Sequence, residues 1–349
     1  MQAWSNNGSI ELICLKKWQE TPDTVSLELG SRSSELTFDF KPGQFITLGV
    51  NMPDKRDYRA YSVSSIPGDN SLKLTVKRVE GGLVSNYIVD HLDEGDEVDV
   101  LKPAGKFNNV DCLPTSSNKV TLVSAGCGIT PVTAMAQDWL STNGDIEIDF
   151  IHMARNKEQA IYYHQLVELD KQHPNFNFKL LLKDNSDTPF PQGRLDKEWL
   201  LTLSPEIKQS TVYLCGPVGF MKDVERYLGQ IEFDMSKFHQ ESFTPEFESA
   251  TPLDSAIAES NASVKVMVPS FGVELEADKN STLIDALEKG GVPVIAACRS
   301  GICGSCKCKV TKGSVTLTST ETLSEQDLAE GFVLACSSKI DGDVEVALN

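Results

Sequence analysis

Four cysteines near the C-terminal end of this 349-residue chain limit what its last part can fold into. Cys298, Cys303 and Cys306 follow a C-x4-C-x2-C spacing, and Cys336 stands alone farther on. One loop at this spacing can wrap two irons while a distant strand end closes the site, whereas structural zinc uses paired C-x2-C modules. Glycines within the loop supply the positive φ angles that such a wrap needs. The set therefore predicts a [2Fe-2S] cluster, with zinc or unligated cysteines as the alternative.

The rest of the composition limits which compartments and partners suit this chain. The other five cysteines are an odd number that does not suit a disulfide framework, so we expect free thiols in a reducing compartment, with Cys308 as a small buried apolar side chain. No secretory signal and no long apolar run are present, which predicts a soluble, cytoplasmic protein. The net charge of -18 disfavours nucleic acid and anionic membranes as partners.

The chain length predicts two or three domains, and the sequence pattern favours three. Residues 1–112 contain short β-rich runs separated by turns, which predicts an antiparallel β-barrel. Residues 113–245 alternate strands with helices, which predicts a doubly wound parallel α/β sheet. Residues 246–262 are small or polar and read as a flexible linker. Residues 263–349 hold further strands, a short helix and the cysteine loop, which predicts an α+β domain.

Two motifs of the first region suit a flavin. A [2Fe-2S] cluster takes one electron at a time whereas a nicotinamide gives two, and a flavin is the usual group that splits the pair. The strand segment Arg59-Ala60-Tyr61-Ser62 offers a cation for phosphate, a flat ring and a hydroxyl. Gly82-Leu83-Val84-Ser85 opens a predicted helix whose free N–H groups suit a pyrophosphate. Alone, these motifs are equally typical of an exposed Arg, a core Tyr and an ordinary N-cap.

The second region carries signs of a dinucleotide site. Gly126-Cys127-Gly128-Ile129-Thr130-Pro131 follows a buried-type strand, with Pro131 where the dinucleotide fingerprint has its third glycine. Arg155 follows the next strand, where an acidic residue would hold an adenosine ribose, so spacing alone leaves NADH and NADPH open. Cys215-Gly216-Pro217 ends a later strand, so Cys215 is expected either to face the nicotinamide or to be a buried strand-end cysteine.

Taken together, these motifs, with Met221 and the four cysteines, resemble the ferredoxin-NADP reductase superfamily fused to a plant-type ferredoxin. The resemblance implies FAD in the barrel, NADH on the sheet and a β-grasp ferredoxin domain. It implies that Arg59 contacts the flavin phosphate, Tyr61 stacks on the ring and Ser62 approaches N5. It also places Ser62, Cys215 and Glu241 at the reacting atoms. The remaining cofactor contacts that it implies are Ala60, Val76, Lys77, Gly82, Val84, Ser85, Gly126 to Pro131, Arg155, Gly216, Pro217, Met221 and Phe243.

Within that superfamily, the chain is most similar to NADH-dependent reductases of hybrid-cluster protein. Residues 59–65, 124–131, 292–298 and 329–336 carry this similarity, which is closest in the ferredoxin part. This implies an NADH oxidoreductase that passes electrons to a partner handling nitric oxide or hydroxylamine. Two alternatives stay open: the reductase component of a Rieske-type or di-iron oxygenase, and a flavin and iron-sulfur redox sensor or carrier without NADH turnover. Four cations near the cysteine loop further suggest a basic docking rim for the acceptor: Arg299, Lys307, Lys309 and Lys312.

Overall fold

The computed structural model describes residues 4, 9–32, 36–53, 56–115, 117–142, 144–185, 188–243, 263–299, 301, 303–320 and 322–348. The chain divides into two compact units, residues 1–57 with 61–244, and residues 58–60 with 245–349. The domain boundary predicted near residue 112 falls inside the first unit. The predicted linker, 246–262, lies outside the described residues.

An antiparallel barrel begins the chain. Its apolar side chains alternate along the strands, as in Leu72, Leu74 and Val76, so that one face fills the core and the other faces outward. The strand order is β4-β3-β6-β1-β2-β5, and a bridge between Val63 and Leu74 joins the two ends of the sheet. The elements are β1 Ile10–Thr21, β2 Thr24–Gly30, β3 Phe45–Asn51, β4 Arg56–Ser62, β5 Leu72–Lys77, α1 Leu83–His91 and β6 Glu97–Val100.

A five-stranded parallel sheet completes the first unit, in the order β11-β10-β7-β8-β9. Helices cover its two faces, so apolar residues on both sides of the sheet are buried. The elements are β7 Lys119–Ala125, α2 Ile129–Thr142, β8 Glu147–Ala154, α3 Tyr163–Gln172, β9 Phe176–Leu182, α4 Lys197–Leu203, β10 Thr211–Cys215, α5 Val218–Gln230 and β11 Phe238–Glu241.

Buried hydroxyl groups join the barrel to the nucleotide-type sheet. The Tyr162 hydroxyl, at the start of α3, donates to Ser64 Oγ at 3.0 Å and also bonds Thr75 on β5. Thr75 in turn lies 2.6 Å from Ser26 Oγ on β2. The ammonium of Lys73 sits 4.2 Å above the Tyr162 ring. Because these groups are buried and mutually satisfied, they fix the two sheets to each other.

The second unit contains a mixed sheet in the order β13-β12-β18-β14-β16, with a separate β15-β17 pair. Helix α6 packs over a single apolar core that includes Cys308, and burial raises the pKa of Cys308 to about 12. The predicted role of Cys308 as a buried apolar side chain is therefore confirmed. The elements are β12 Ser263–Val268, β13 Val273–Asp278, α6 Leu283–Lys289, β14 Lys307–Lys312, β15 Val315–Leu317, α7 Glu325–Ala329, β16 Phe332–Leu334, β17 Ser338–Ile340 and β18 Val344–Leu348.

The predicted fold class, an antiparallel barrel, a parallel α/β sheet and an α+β domain, is confirmed. The strands β6 and β11 were not among the predicted elements. Within the described part of the chain, none of the helices has the length and apolar character needed to cross a bilayer.

Candidate redox sites

The end of strand β4 carries the predicted flavin motif. Tyr61 is half-buried and packs against the barrel core, and the Arg59 guanidinium donates to the Tyr58 carbonyl at 2.6 Å. The Ser62 side chain is buried, and its hydroxyl has no hydrogen-bond partner among the described residues. Because buried hydroxyls in folded proteins are normally paired, a bound group that accepts or donates here would complete the site. The residues present therefore fit a flavin.

Helix α1 follows strand β5 and packs against it. Its N-cap, Gly82, provides no side-chain cap, and the first turn contains no acidic residue, so the first N–H groups are available to an anion. A Cβ at residue 82 would lie 2.6 Å from Ser85 Oγ, which explains the glycine. The side chains of Val76 and Val84 are buried in the barrel core. Any contact between these two residues and a flavin must therefore use their backbone.

A polar row crosses the carboxyl edge of the parallel sheet. The strand register places His152, Ser124, Cys215 and Glu241 side by side on four adjacent strands. Since paired residues of parallel strands share a face, their side chains form one line. Ser124 Oγ lies 2.9 Å from His152 Nδ1. At the other end of the row, Glu241 Oε1 lies 3.6 Å from the position that a Cβ on Gly105 would occupy.

Burial sets the protonation of this row. It raises the pKa of the Cys215 thiol well above its usual value, with the Glu241 carboxylate adding to the effect, so Cys215 is a neutral thiol. Burial lowers the pKa of His152 to about 3, so the imidazole is neutral. Cys215 and Glu241 were both predicted to lie at the reacting atoms, and the strand register places them side by side. His152 was assigned no role. Its position at the end of a parallel strand was the signal that sequence reasoning left unused.

The glycine turn after β7 packs closely against this row. A Cβ on Gly128 would lie 2.1 Å from the Cys215 carbonyl oxygen, so this glycine holds the turn against the end of β10. Gly126 has φ +55° and open space around its Cα. Thr130 donates its hydroxyl to the Cys127 carbonyl at 2.9 Å, so that hydroxyl is already used within the turn. The first residues of α2 are buried, namely Ile129, Thr130 and Pro131.

A cavity of about 700 Å³ opens at the carboxyl edge of β8 and β9, within the size range of cofactor sites. Its lining includes Gly126, Arg155 and Lys77, three of the residues expected to contact a cofactor. Lys183 and Arg194 also line it and were missed, although both follow strand β9 at the same sheet edge.

The neighbouring helix α5 contributes the wall of this cavity. Its lining residues there are Phe220, Asp223, Val224 and Tyr227. Met221, which was predicted to contact the nucleotide, is instead buried between α5 and the sheet. The difference arises because successive helix residues face different directions, so Met221 turns inward where Phe220 turns to the cavity.

The four predicted cluster ligands come together in the second unit. Cys306 Sγ lies 3.2 Å from Cys336 Sγ. A hydrogen bond with Cys336 lowers the pKa of Cys306, while contacts with the Cys298 thiol raise the pKa values of Cys303 and Cys336. Among the described residues, no three Cys, His, Asp or Glu side chains surround a single ion site. Cys298 interacts with both Cys303 and Cys336, so the four thiols form one group, which suits two irons bridged by sulfide.

The loop that carries these cysteines requires its glycines. Gly301 has φ +75°, and a Cβ there would lie 2.6 Å from the Cβ of Ser319 and 2.8 Å from that of Ser337. Gly304 has φ +72°. Both residues therefore need the left-handed conformation, and Gly301 also needs the absence of a side chain. The thiol set and the loop shape together fit a [2Fe-2S] cluster.

The expected basic rim around this loop is largely neutralised. Arg299 pairs with Glu288 at 2.7 Å, and Lys307 pairs with Asp327 at 2.5 Å. Lys312 pairs with Glu345 at 2.7 Å. The hydrogen bond from Lys307 also lowers the pKa of the Asp327 carboxyl to about 2. Because three of the four cations carry carboxylate partners, the hypothesis of a surface with excess positive charge is not supported.

Three known domain families match successive parts of the chain. The oxidoreductase FAD-binding domain matches residues 11–109, and the oxidoreductase NAD-binding domain matches residues 122–226. The 2Fe-2S iron-sulfur cluster binding domain matches residues 266–341. These matches support FAD, NADH and a [2Fe-2S] cluster as the cofactors.

Relatives match from end to end. The glycine betaine monooxygenase reductase subunit of Pseudomonas aeruginosa is 32% identical over 99% of this chain and 96% of its own length. The NADH oxidoreductase HCR of Escherichia coli is 34% identical over 94% of each chain. A solved phthalate dioxygenase reductase, 24% identical, superposes with a TM-score of 0.64 over 98% of both chains and so shares the fold.

The chain therefore belongs to the ferredoxin-NADP reductase-type proteins that carry a C-terminal 2Fe-2S domain. Its activity is that of an NADH-dependent flavin and iron-sulfur oxidoreductase, which transfers electrons through FAD and the [2Fe-2S] cluster. The alternative of a redox sensor without NADH turnover is set aside.

Proposed function

We propose that this protein passes electrons from NADH to a hybrid-cluster protein, which reduces nitric oxide or hydroxylamine. The proposal is supported chiefly by the likeness of residues 292–298 and 329–336 to such reductases. The 34% identity to NADH oxidoreductase HCR over 94% of the chain supports it as well. The cytoplasm is the compartment we propose, because the five cysteines outside the cluster set are free thiols.

The residues at the reacting atoms are proposed from their positions. FAD, when bound, accepts a hydride and gives up electrons one at a time. Ser62 offers the buried hydroxyl that would orient the ring, and Arg59 and the N-terminus of α1 would hold the phosphates. Cys215, kept neutral by burial, would line the nicotinamide position without acting as a nucleophile. Glu241, next to it in the row, would face the same position with its carboxylate.

The test is an anaerobic assay with purified partner proteins. NADH oxidation should become dependent on hydroxylamine or nitric oxide when hybrid-cluster protein is added. Cys306→Ser is the control, because it removes a cluster ligand from the second unit while leaving the first unit intact. This variant should still reduce ferricyanide with NADH but should lose turnover with the partner. Equal turnover by the variant, or no turnover by the wild type, would refute the proposed acceptor.

A second acceptor is favoured by the names of other relatives. Besides the glycine betaine monooxygenase subunit, the stachydrine N-demethylase reductase subunit of Rhizobium meliloti is 30% identical over 96% of the chain. These names support an oxygenase component as the partner. NADH oxidation that requires both oxygen and an oxygenase substrate, with hybrid-cluster protein inactive, would decide for this alternative.

A further inference from the structure

A serine in the cysteine loop contacts one of the cluster ligands. Ser305 Oγ lies 2.9 Å from Cys303 Sγ. The same oxygen accepts a hydrogen bond from the Ala297 backbone N–H at 3.4 Å. The hydroxyl is therefore held between a backbone donor on one side and a ligand sulfur on the other.

Ligation fixes the direction of the Ser305 bond. In the thiol form either atom could donate, but a cysteine that binds iron has lost its proton and can only accept. Because the Ala297 N–H already occupies an acceptor position of the hydroxyl, the Ser305 proton is left to point at Cys303. Ser305 then donates a charge-assisted hydrogen bond to a cluster ligand.

A threonine from outside the loop reaches the same turn. Thr322 Oγ1 is buried and has no hydrogen-bond partner among the described residues. It lies 3.2 Å from the position that a Cβ on Gly304 would occupy, and Gly304 stands between the ligands Cys303 and Cys306. A buried hydroxyl without a partner is unfavourable, so a hydroxyl in this position calls for an acceptor. The sulfurs of a bound cluster would supply one.

We propose that the hydroxyls of Ser305 and Thr322 donate hydrogen bonds to the sulfurs of the cluster and thereby raise its reduction potential. Reduction adds one negative charge to the iron-sulfur group, and a donor aimed at a sulfur stabilises the reduced form more than the oxidised form. Removing either donor should therefore make the cluster harder to reduce. The proposal concerns the potential of the cluster and is independent of which protein accepts the electron.

The experiment is a redox titration of the full chain, with the reduced cluster followed by EPR. Ser305→Ala and Thr322→Val remove the hydroxyls, while Ser305→Thr and Thr322→Ser keep them. We expect Ser305→Ala to lower the equilibrium constant for reduction about tenfold, which is 59 mV for one electron. Thr322→Val should shift the potential in the same direction. The two hydroxyl-keeping variants should stay close to the wild type.

Two further measurements distinguish a change in the reduction potential of the cluster from damage to the protein. Iron content and the rate of flavin reduction by NADH should be unchanged in all four variants, because the ligands and the first unit are intact. In deuterated water, a resonance Raman band from iron-thiolate stretching should shift in the wild type, and part of that shift should be missing in Ser305→Ala.

Three results would overturn the proposal. The first is an unchanged potential in both Ser305→Ala and Thr322→Val. The second is an equal shift in the hydroxyl-keeping variants, which would indicate packing as the cause. The third is loss of iron in Ser305→Ala, because the hydroxyl would then serve assembly of the site.

Discussion

Replacing Gly128 by alanine should slow hydride transfer from NADH far more than the size of the change suggests. The added Cβ would lie 2.1 Å from the Cys215 carbonyl oxygen, 2.3 Å from the carbonyl carbon and 2.5 Å from the Gly216 nitrogen. All three are backbone atoms, so no side chain can turn aside. Relieving the contact requires the glycine turn and the end of β10 to separate by about 1 Å, since carbon contacts are comfortable near 3.5 Å.

Two effects follow from that separation. Overpacking of this kind costs about 1–3 kcal/mol of folding free energy. A misplacement of about 1 Å at a reacting centre costs about a hundredfold in rate. We therefore expect flavin reduction at saturating NADH, followed by anaerobic stopped-flow absorbance, to fall about a hundredfold in Gly128→Ala.

Gly126→Ala is the matched control for this prediction. Gly126 has φ +55° but nothing within 4 Å of the added Cβ, so alanine there meets strain of about 1–2 kcal/mol and no clash. Its rate should remain within about thirtyfold of the wild type, since 2 kcal/mol is about thirtyfold in rate, and should stay above that of Gly128→Ala. A Gly128→Ala protein that retains FAD and reduces it at the wild-type rate would show that the close approach to Cys215 does not position the site.

Three more perturbations test other parts of the structure. Gly301→Ala should lose iron because its Cβ would meet Ser319 and Ser337. Gly291→Ala, also at positive φ but in open space, should keep its iron. Elemental analysis measures the iron, and equal iron in both variants would contradict the steric role of Gly301. Tyr162→Phe should lower the free energy of unfolding of the first unit by about 1–3 kcal/mol, because two buried hydrogen bonds, to Thr75 and to Ser64, are lost. Urea unfolding followed by tryptophan fluorescence checks this, and an unchanged midpoint would count against the network. The pKa of His152 is lowered from 6.5 to about 3, so unfolding takes up a proton below pH 6.5, and the stabilisation present above pH 6.5 declines as the pH falls towards 3. Relative to His152→Gln, the wild type should lose about 1.4 kcal/mol at about pH 5.5, and parallel pH profiles would refute a neutral buried imidazole.

Tryptophan fluorescence suits the two stability tests because of where the four tryptophans lie. Trp4, Trp18, Trp139 and Trp199 all belong to the first unit, so the signal reports that unit without a contribution from the second. This matters because a chain with more than one compact unit does not have a single free energy of unfolding.

The parts of the fold with strong local signals were predictable from sequence. The cysteine spacing predicted the 2Fe-2S domain, and the strand-helix alternation predicted the parallel sheet. The short strand β11 was missed because Phe238–Glu241 is only four residues long and is held by pairing with β10, which is distant in sequence. Sequence pattern reports local preference, and edge strands of this kind depend on tertiary contacts.

Features of the sites that could not be predicted from the sequence also depend on tertiary contacts. Gly128 was predicted as part of the dinucleotide turn, but its close approach to the backbone of Cys215 was not predictable, because only the folded sheet brings the two together. Lys307 and Arg299 looked like free cations, yet their partners Asp327 and Glu288 lie well apart from them in sequence. Charge along a chain does not determine charge at a surface when ion pairs form between distant segments.

The hydroxyl groups of Tyr162, Thr75 and Ser64 have a consequence for the timing of the reaction. They come from α3, from β5 and from the segment after β4, so a hinge motion between barrel and parallel sheet would have to break buried bonds. We therefore expect nicotinamide to enter by rearrangement of side chains at the cavity mouth rather than by a slower opening of the two sheets.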